Sequence, residues 1–129
     1  MVDADKPRVL VVDDASLVRL YYRDALEAAG FQVDEAINGL EALEKLLLAP
    51  VDLLVVDVNM PRMDGLTFVQ TLRRQPMELA SIPVLMTSTE AGAQDIAAAR
   101  AAGANVYLVK PLAQETLADY ARALSGASA

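Results

Sequence analysis

Five short apolar runs, each halted by polar or charged residues or set in alternation with them, limit what this chain can fold into more than any other feature. Residues 9–12 are halted by Asp13 and Asp14, residues 53–56 by Asp57, residues 84–86 by Thr87, Ser88 and Thr89, and residues 106–109 by Lys110. Residues 31–36 alternate apolar and polar instead. An uninterrupted run of about four Val and Leu residues reads as a strand buried on both faces, and such strands belong to parallel sheets. The alternating run predicts a half-exposed edge strand.

Segments of helical period fill the gaps. Val18, Tyr21, Tyr22, Ala25, Leu26 and Ala29 share one face of a first helix, which Gly30 stops. Asn38 is placed to cap a second helix that runs to Leu48, with Pro50 beyond it. Leu46, Leu47 and Leu48 cannot all face inward, and one is expected in solvent. A third helix, from about Asp64 to Arg74, would bury Leu66, Val69 and Leu72. Asp64 and Gly65 would cap and turn it, and Pro61 would stiffen the loop before it. A fourth, over about 90–102, is rich in alanine, anchored mainly by Ile96, and followed by Gly103. A fifth follows Pro111 to about Leu124, resting on Leu112, Leu117, Tyr120, Ala121 and Leu124.

Strands and helices alternating in this way, joined by right-handed crossovers, predict an α/β fold of doubly wound (βα)5 type. This is a three-layer sandwich around a five-stranded parallel sheet. The domain would span about 8–124, between an N-terminal extension over 1–7 and a small, polar, fraying tail over 125–129.

Composition narrows the chemistry. A chain of 129 residues suits one domain. It has no cysteine and no histidine, which removes disulfides, zinc sites built on those residues, a histidine pH switch and phosphohistidine chemistry on this chain. The net charge of −7 disfavours nucleic acid as a direct partner. No stretch of about 18 apolar residues occurs, and residues 1–7 lack a signal-peptide core. No membrane insertion and a cytoplasmic location are therefore expected.

In open parallel sheets, ligands bind beyond the carboxyl ends of the strands. Those ends carry Asp13, Asp14, Asp57, Ser88 and Lys110, so three carboxylates, a hydroxyl and an ammonium should meet on one rim. Three close carboxylates repel unless a cation offsets them, and hard oxygen ligands suit Mg²⁺. A carboxylate, a hydroxyl and a lysine around Mg²⁺ form a plausible phosphoryl-transfer site, with the carboxylate as nucleophile.

The segments VLVVDDAS, DLLVVD, NMPRMDG, PVLMTSTEA and GANVYLVKP, in this order and spacing, resemble a response-regulator receiver domain over nearly the whole chain. The likeness is strongest to the single-domain chemotaxis CheY type, whose flavodoxin-like sheet has strand order 2-1-3-4-5. The resemblance implies roles. Asp57 matches the phosphoacceptor. Asp13 and Asp14 match the acidic pair that holds Mg²⁺, with the Asn59 backbone carbonyl as a further ligand. Ser88 and Lys110 match the hydroxyl and the lysine that contact the phosphoryl group, and Tyr107 the aromatic switch residue. Asn59 and Glu90 match the positions that tune hydrolysis, and they are the pair found in the fast chemotaxis type. Lys110-Pro111 matches a peptide bond usually cis in this family.

Simpler readings stay open at several positions. Asp14 or Ser16 can cap the first helix, and Ser88 and Thr89 lie where a cap belongs. Pro111 also suits the first position of a helix with a trans bond, and Tyr107 can merely pack. Three rival functions are compatible with this fold. A flavin carrier of the same fold would want a Ser, Thr and Gly loop after the first strand, where Asp13 and Asp14 stand. An aspartyl phosphatase would want a second acid where Asn59 stands. An unphosphorylated interaction module would be expected to have lost part of the Asp13, Asp14, Asp57, Ser88 and Lys110 set.

The expected function is a Mg²⁺-dependent phospho-switch of two-component signal transduction. It would accept a phosphoryl group from a sensor histidine kinase or histidine phosphotransfer protein. It would be no enzyme beyond its own phosphotransfer and autodephosphorylation. No output domain is visible in this sequence, so a face made by the fourth helix, fifth strand and fifth helix is expected to control a partner protein. Leu17 and Leu20 fall off the buried face of the first helix, near Asp14, and suggest a kinase-docking surface.

Overall fold

The computed structural model describes residues 6–126. Its elements are β1 (Arg8–Val12), α1 (Ser16–Ala28), β2 (Gln32–Ala36), α2 (Gly39–Leu48), β3 (Leu53–Asp57), α3 (Gly65–Arg73), α4 (Met77–Ala80), β4 (Val84–Ser88), α5 (Ala93–Ala102), β5 (Val106–Val109) and α6 (Gln114–Ser125). Of the expected extension only Lys6 and Pro7 are described, and of the expected tail only Ser125, which closes α6, and Gly126. The rest of both lies outside the described residues.

The strands form one parallel sheet in the order β2-β1-β3-β4-β5. The register aligns Val12 with Val56, Asp57 with Thr87 and Ser88 with Val109. The carboxyl ends therefore finish level, and the residues that follow them share one rim. Alternate strand residues feed two cores. Val9, Val11, Leu53, Val55 and Leu85 pack under α1 and α6. Leu10, Val12, Leu54, Val56, Val84 and Met86 pack under α2, α3 and α5. Burying a Val, Leu or Phe side chain contributes about 1.5–3 kcal/mol, so these central strands hold the molecule together.

The local signals act as expected at several ends. Asn38 caps α2 by accepting from Glu41 N–H at 2.9 Å. Asp64 caps α3 by accepting from Thr67 N–H at 2.8 Å. Gly65 does more than turn the chain: a Cβ there would lie 2.3 Å from the Asp57 carbonyl oxygen. Only glycine lets α3 start this close to the end of β3.

Several expectations need correction. The run 106–109 is not buried on both faces: β5 lies at the sheet edge that the expected strand order gives it and is half-buried, with Val109 exposed. Its neighbour α5 is built of alanine, whose methyl groups cover little of a strand. That helix begins at Ala93, behind an N-cap Gly92 that makes no side-chain bond. It rests on Ala99 and Ala102, while Ile96 is only half-buried. Tyr21 and Tyr120 lie on predicted inner faces yet are exposed. Two leucines of the 46–48 run, Leu47 and Leu48, face solvent rather than one. The single-turn helix α4 was not expected at all.

Candidate functional site

The rim gathers the predicted residues. Asp13 directly follows β1, and its N–H continues the ladder to the Ala36 carbonyl at 3.0 Å. Its carboxylate turns back into the protein and is 1% exposed. There Oδ1 accepts from Ala15 N–H at 2.9 Å, and Oδ2 accepts from Lys110 Nζ at 3.0 Å. Asp57 ends β3, is 7% exposed, and places Oδ1 3.1 Å from the same Lys110 Nζ. Lys110 is brought there by β5: its own N–H donates to the Ser88 carbonyl at 2.7 Å, and the Lys110-Pro111 bond is cis, as expected.

Asp14 is exposed, and one oxygen from each of Asp13, Asp14 and Asp57 lies within 4.8 Å of the others. Neither Asp14 nor Ser16 caps α1, whose N-cap is Ala15 without a side-chain bond. The capping alternative for Asp14 is thereby removed.

The electrostatics are unbalanced. Two like charges about 4 Å apart repel by about 4 kcal/mol at an effective dielectric of about 20. Lys110 answers two of the three carboxylates. Burial, and then the Asp13 carboxylate, push the pKa of Asp57 up against the pull of Lys110. Burial alone would lower Lys110, but hydrogen bonds and charge from Asp13 and Asp57 hold it above the ordinary lysine value. Three carboxylates facing one ammonium, all hard oxygen donors and one of them open to solvent, suit a hard divalent cation.

Ser88 closes β4 fully buried, with Oγ accepting from Glu90 N–H at 3.0 Å. It caps no helix, because α5 starts beyond Gly92. Tyr107, half-buried on β5, donates its hydroxyl to the Glu90 carbonyl at 2.7 Å. Asn59 and Glu90 are both exposed, each two residues past a strand-end residue of the rim. Beside the rim a cavity of about 580 Å³ opens between α1 and the start of the β5–α6 connection. Leu17, Val18, Tyr21, Tyr22, Pro111 and Leu112 give it an apolar lining, with Thr89 and Lys110 at the site end.

Two features escaped the sequence reading. Arg19 donates from Nη1 to the Asp13 carbonyl at 2.8 Å and from Nε to Glu35 at 2.7 Å. A strand order that sets β2 beside β1 does not by itself show that Glu35 reaches it. Beneath the rim, the wholly buried Thr87 hydroxyl lacks a hydrogen bond of normal geometry. It still lies close enough to the buried Tyr22 hydroxyl to act on it, although burial, the larger effect, pushes the Tyr22 pKa up.

Residues 9–122 match the response regulator receiver domain family, and the chain belongs to that family. Its particular relatives include the chemotaxis protein CheY1 of Helicobacter pylori, 39% identical over 114 residues, which cover 87% of this chain and 91% of that protein. The protein-glutamate methylesterase/protein-glutamine glutaminase of Archaeoglobus fulgidus is 45% identical over 107 residues, 81% of this chain. This chain spans only 30% of the length of that protein. The structure of chemotaxis protein CheY4 of Vibrio cholerae superimposes with a TM-score of 0.87 at 37% identity, covering 92% of this chain and 98% of that one. The expected strand order and CheY-like, flavodoxin-like fold are thus both present. No helix among the described residues is long and apolar enough to cross a membrane.

Proposed function

We propose that this chain is a Mg²⁺-dependent phospho-switch of a two-component pathway, phosphorylated on Asp57 by a partner's phosphohistidine. The observation that carries this reading is Lys110 Nζ held between Asp13 and Asp57, with Asp14 completing an acidic cluster at the strand ends. An Asp57 carboxylate oxygen attacks phosphorus, the O–P bond forms as the N–P bond breaks, and the imidazole nitrogen leaves with the bonding pair. Held by Asp13, Asp14, Asp57 and the Asn59 backbone carbonyl, Mg²⁺ would offset charge on the phosphoryl oxygens. Lys110 and the Ser88 hydroxyl contact the transferred group. The donor is a sensor histidine kinase or histidine phosphotransfer protein, and the setting is the cytoplasm. The chain acts catalytically only on itself, in accepting and hydrolysing the phosphoryl group.

The output is a changed face. Drawing Ser88 toward the phosphoryl group disturbs its bond to Glu90, and Tyr107, bonded to the same residue, moves with it. The surface of α5, β5 and α6 then presents a new shape to a partner protein.

Incubation with acetyl phosphate and Mg²⁺, followed by mass spectrometry, tests the reading. One phosphoryl group is expected on the wild type and none on Asp57→Asn. An unlabelled wild type, or label persisting at another residue of the variant, removes Asp57 from its role.

A further inference from the structure

We infer that Arg19, held in place by Glu35, is a positioning residue that aims the Asp14 carboxylate at the metal site. The inference rests on the reading of the acidic cluster as a Mg²⁺ site.

Asp13 is fixed by its own bonds. Its N–H is held by Ala36, and its carboxylate by Ala15 N–H and Lys110. Asp14 has no such support: among the described residues no hydrogen bond or ion pair holds its carboxylate, and it is exposed. Its direction is set by the backbone alone. The Arg19 guanidinium donates to the Asp13 carbonyl oxygen at 2.8 Å, and that oxygen belongs to the peptide unit joining Asp13 to Asp14. A bond there holds the plane of the peptide before Asp14, and Ala15 N–H on Asp13 Oδ1 at 2.9 Å holds the peptide after it, so the two together set the Asp14 backbone angles and the direction in which its side chain leaves the chain. Arg19 is itself immobilised, with its side chain 14% exposed and Nε on Glu35 Oε1 at 2.7 Å.

Glu35 has a second effect. A bare guanidinium beside a cation site would repel the cation. Glu35 takes Arg19 on one oxygen and Arg23 on the other, both at 2.7 Å, and Arg23 also meets Glu27 at 3.1 Å. The arginine is thus held for its geometry while its charge is offset. Outer partners of metal ligands commonly alter affinity by about 10–100-fold when removed.

Charge and geometry predict opposite signs for one substitution. Removing the Arg19 cation should tighten Mg²⁺ binding if its field is what matters, and weaken it if the bond to the Asp13 carbonyl is what matters. A mere staple between α1 and β2 would lower thermal stability and leave affinity unchanged. Isothermal titration of the full chain with MgCl₂, beside metal-free melting curves, separates these. Arg19→Met should bind Mg²⁺ about tenfold more weakly, and combining it with Asp14→Asn should add little to the loss from Asp14→Asn alone. Affinity that is unchanged or tighter in Arg19→Met overturns the inference. If Arg19→Met does not fold, Arg19→Lys decides: it keeps the charge, so a field effect alone leaves affinity unchanged, but an ammonium cannot hold the Asp13 carbonyl and Glu35 in the same fork and must weaken binding, and equal affinity there overturns the inference. A wild type that binds no Mg²⁺ overturns the site reading itself, before any variant is compared.

Discussion

The hydroxyls of Ser88 and Tyr107 close on the two ends of a single residue. Ser88 Oγ accepts from the Glu90 N–H at 3.0 Å, and Tyr107 donates to the Glu90 carbonyl at 2.7 Å. A buried residue at the end of β4 and a half-buried one on β5 are thereby linked through the loop that leads into α5. That loop has little else to hold it, since α5 starts without a side-chain cap and buries only Ala99 and Ala102.

Tyr107→Phe therefore removes one of two ties, at a cost of about 1 kcal/mol to the local loop structure. Amide exchange over 89–96 should speed up, while labelling of Asp57 by acetyl phosphate stays at the wild-type level. Exchange that does not change would show that Tyr107 only packs.

Asp57 gives a prediction with a definite sign. Its pKa is raised in the folded chain by burial and by Asp13, so the ionised carboxylate is less favourable there than in the unfolded chain. Stability is lost from this group as pH rises through its folded pKa, and regained in full below the ordinary carboxylate range. Lys110 is raised too, so its contribution is complete below the ordinary lysine value and is lost only as pH rises through its folded pKa. At neutral pH without metal, Asp57→Asn should melt a few degrees higher than wild type, and the gap should shrink on acidification. Excess Mg²⁺ should stabilise the wild type more than the variant. A variant that melts lower in metal-free buffer at neutral pH would contradict this account.

Much of this arrangement was legible in the sequence, because a parallel sheet writes its core strands as unbroken apolar runs and its ligand rim as the polar residues that end them. Asp13, Asp57, Ser88 and Lys110 were found in that way, and the structure brings them together. What was not legible is how far neighbouring elements cover and reach one another. The run 106–109 looks like a core strand, but nothing in it tells that α5 beside it is too slim to cover it. Arg19 and Glu35 read as ordinary surface charges, because even a strand order that sets β2 beside β1 does not show that the two side chains meet. Helix α4 is one turn of Met77–Ala80 behind Pro76, too short for any period to show.

The expected kinase-docking surface on α1 borders the apolar cavity beside the rim. Leu17 is 79% exposed and lines it, and Leu20 is 52% exposed on the same helix. Replacing both with Ser should alter stability by less than about 1 kcal/mol in total, as is usual for surface sites. Transfer from the cognate kinase should slow markedly, while labelling by acetyl phosphate is unaffected. Equal slowing with both donors would place the damage at the site itself.

Asn59 and Glu90 stand exposed beside the rim, at the two positions expected to tune hydrolysis of an aspartyl phosphate. By resemblance to the fast chemotaxis type, which carries this pair at these positions, the phosphoryl group is expected to be lost in seconds to minutes. Loss of label after rapid removal of acetyl phosphate measures this. Exchanging Asn59 for a larger apolar side chain, as in Asn59→Leu, should lengthen the lifetime. A wild-type phosphoryl group stable for many hours would show that these two positions do not set the rate.

Arg73 supplies the last test, at the opposite end of the sheet from Asp57. Its guanidinium gathers carbonyl oxygens from three places: Gly103 at 3.0 and 2.7 Å, Ala80 at 2.8 Å and Ile82 at 2.6 Å, and it also reaches Asn105 Oδ1 at 3.0 Å. It thus ties the end of α3 to α4, to the entry of β4 and to the end of α5, without a carboxylate partner among the described residues. Burial pulls its pKa down, the mark of a cation held by dipoles alone. Gly103 is shaped to this contact, since a Cβ there would lie 2.7 Å from Arg73 Cγ, and its φ of +118° already favours glycine. Removing the guanidinium takes this donor from the Gly103, Ala80 and Ile82 carbonyls, while Asn105 Oδ1 keeps the Val84 N–H at 2.8 Å. At about 1 kcal/mol for each lost bond, partly recovered by water, Arg73→Met should cost about 2–4 kcal/mol. The adjacent Arg74 is exposed, and Arg74→Met should stay within about 0.5 kcal/mol of wild type. Urea unfolding of the two variants measures the difference. Because the clamp is remote from the rim, folded Arg73→Met should still be labelled on Asp57 at the wild-type rate. Equal stabilities for the two variants would show that solvent replaces the clamp without cost.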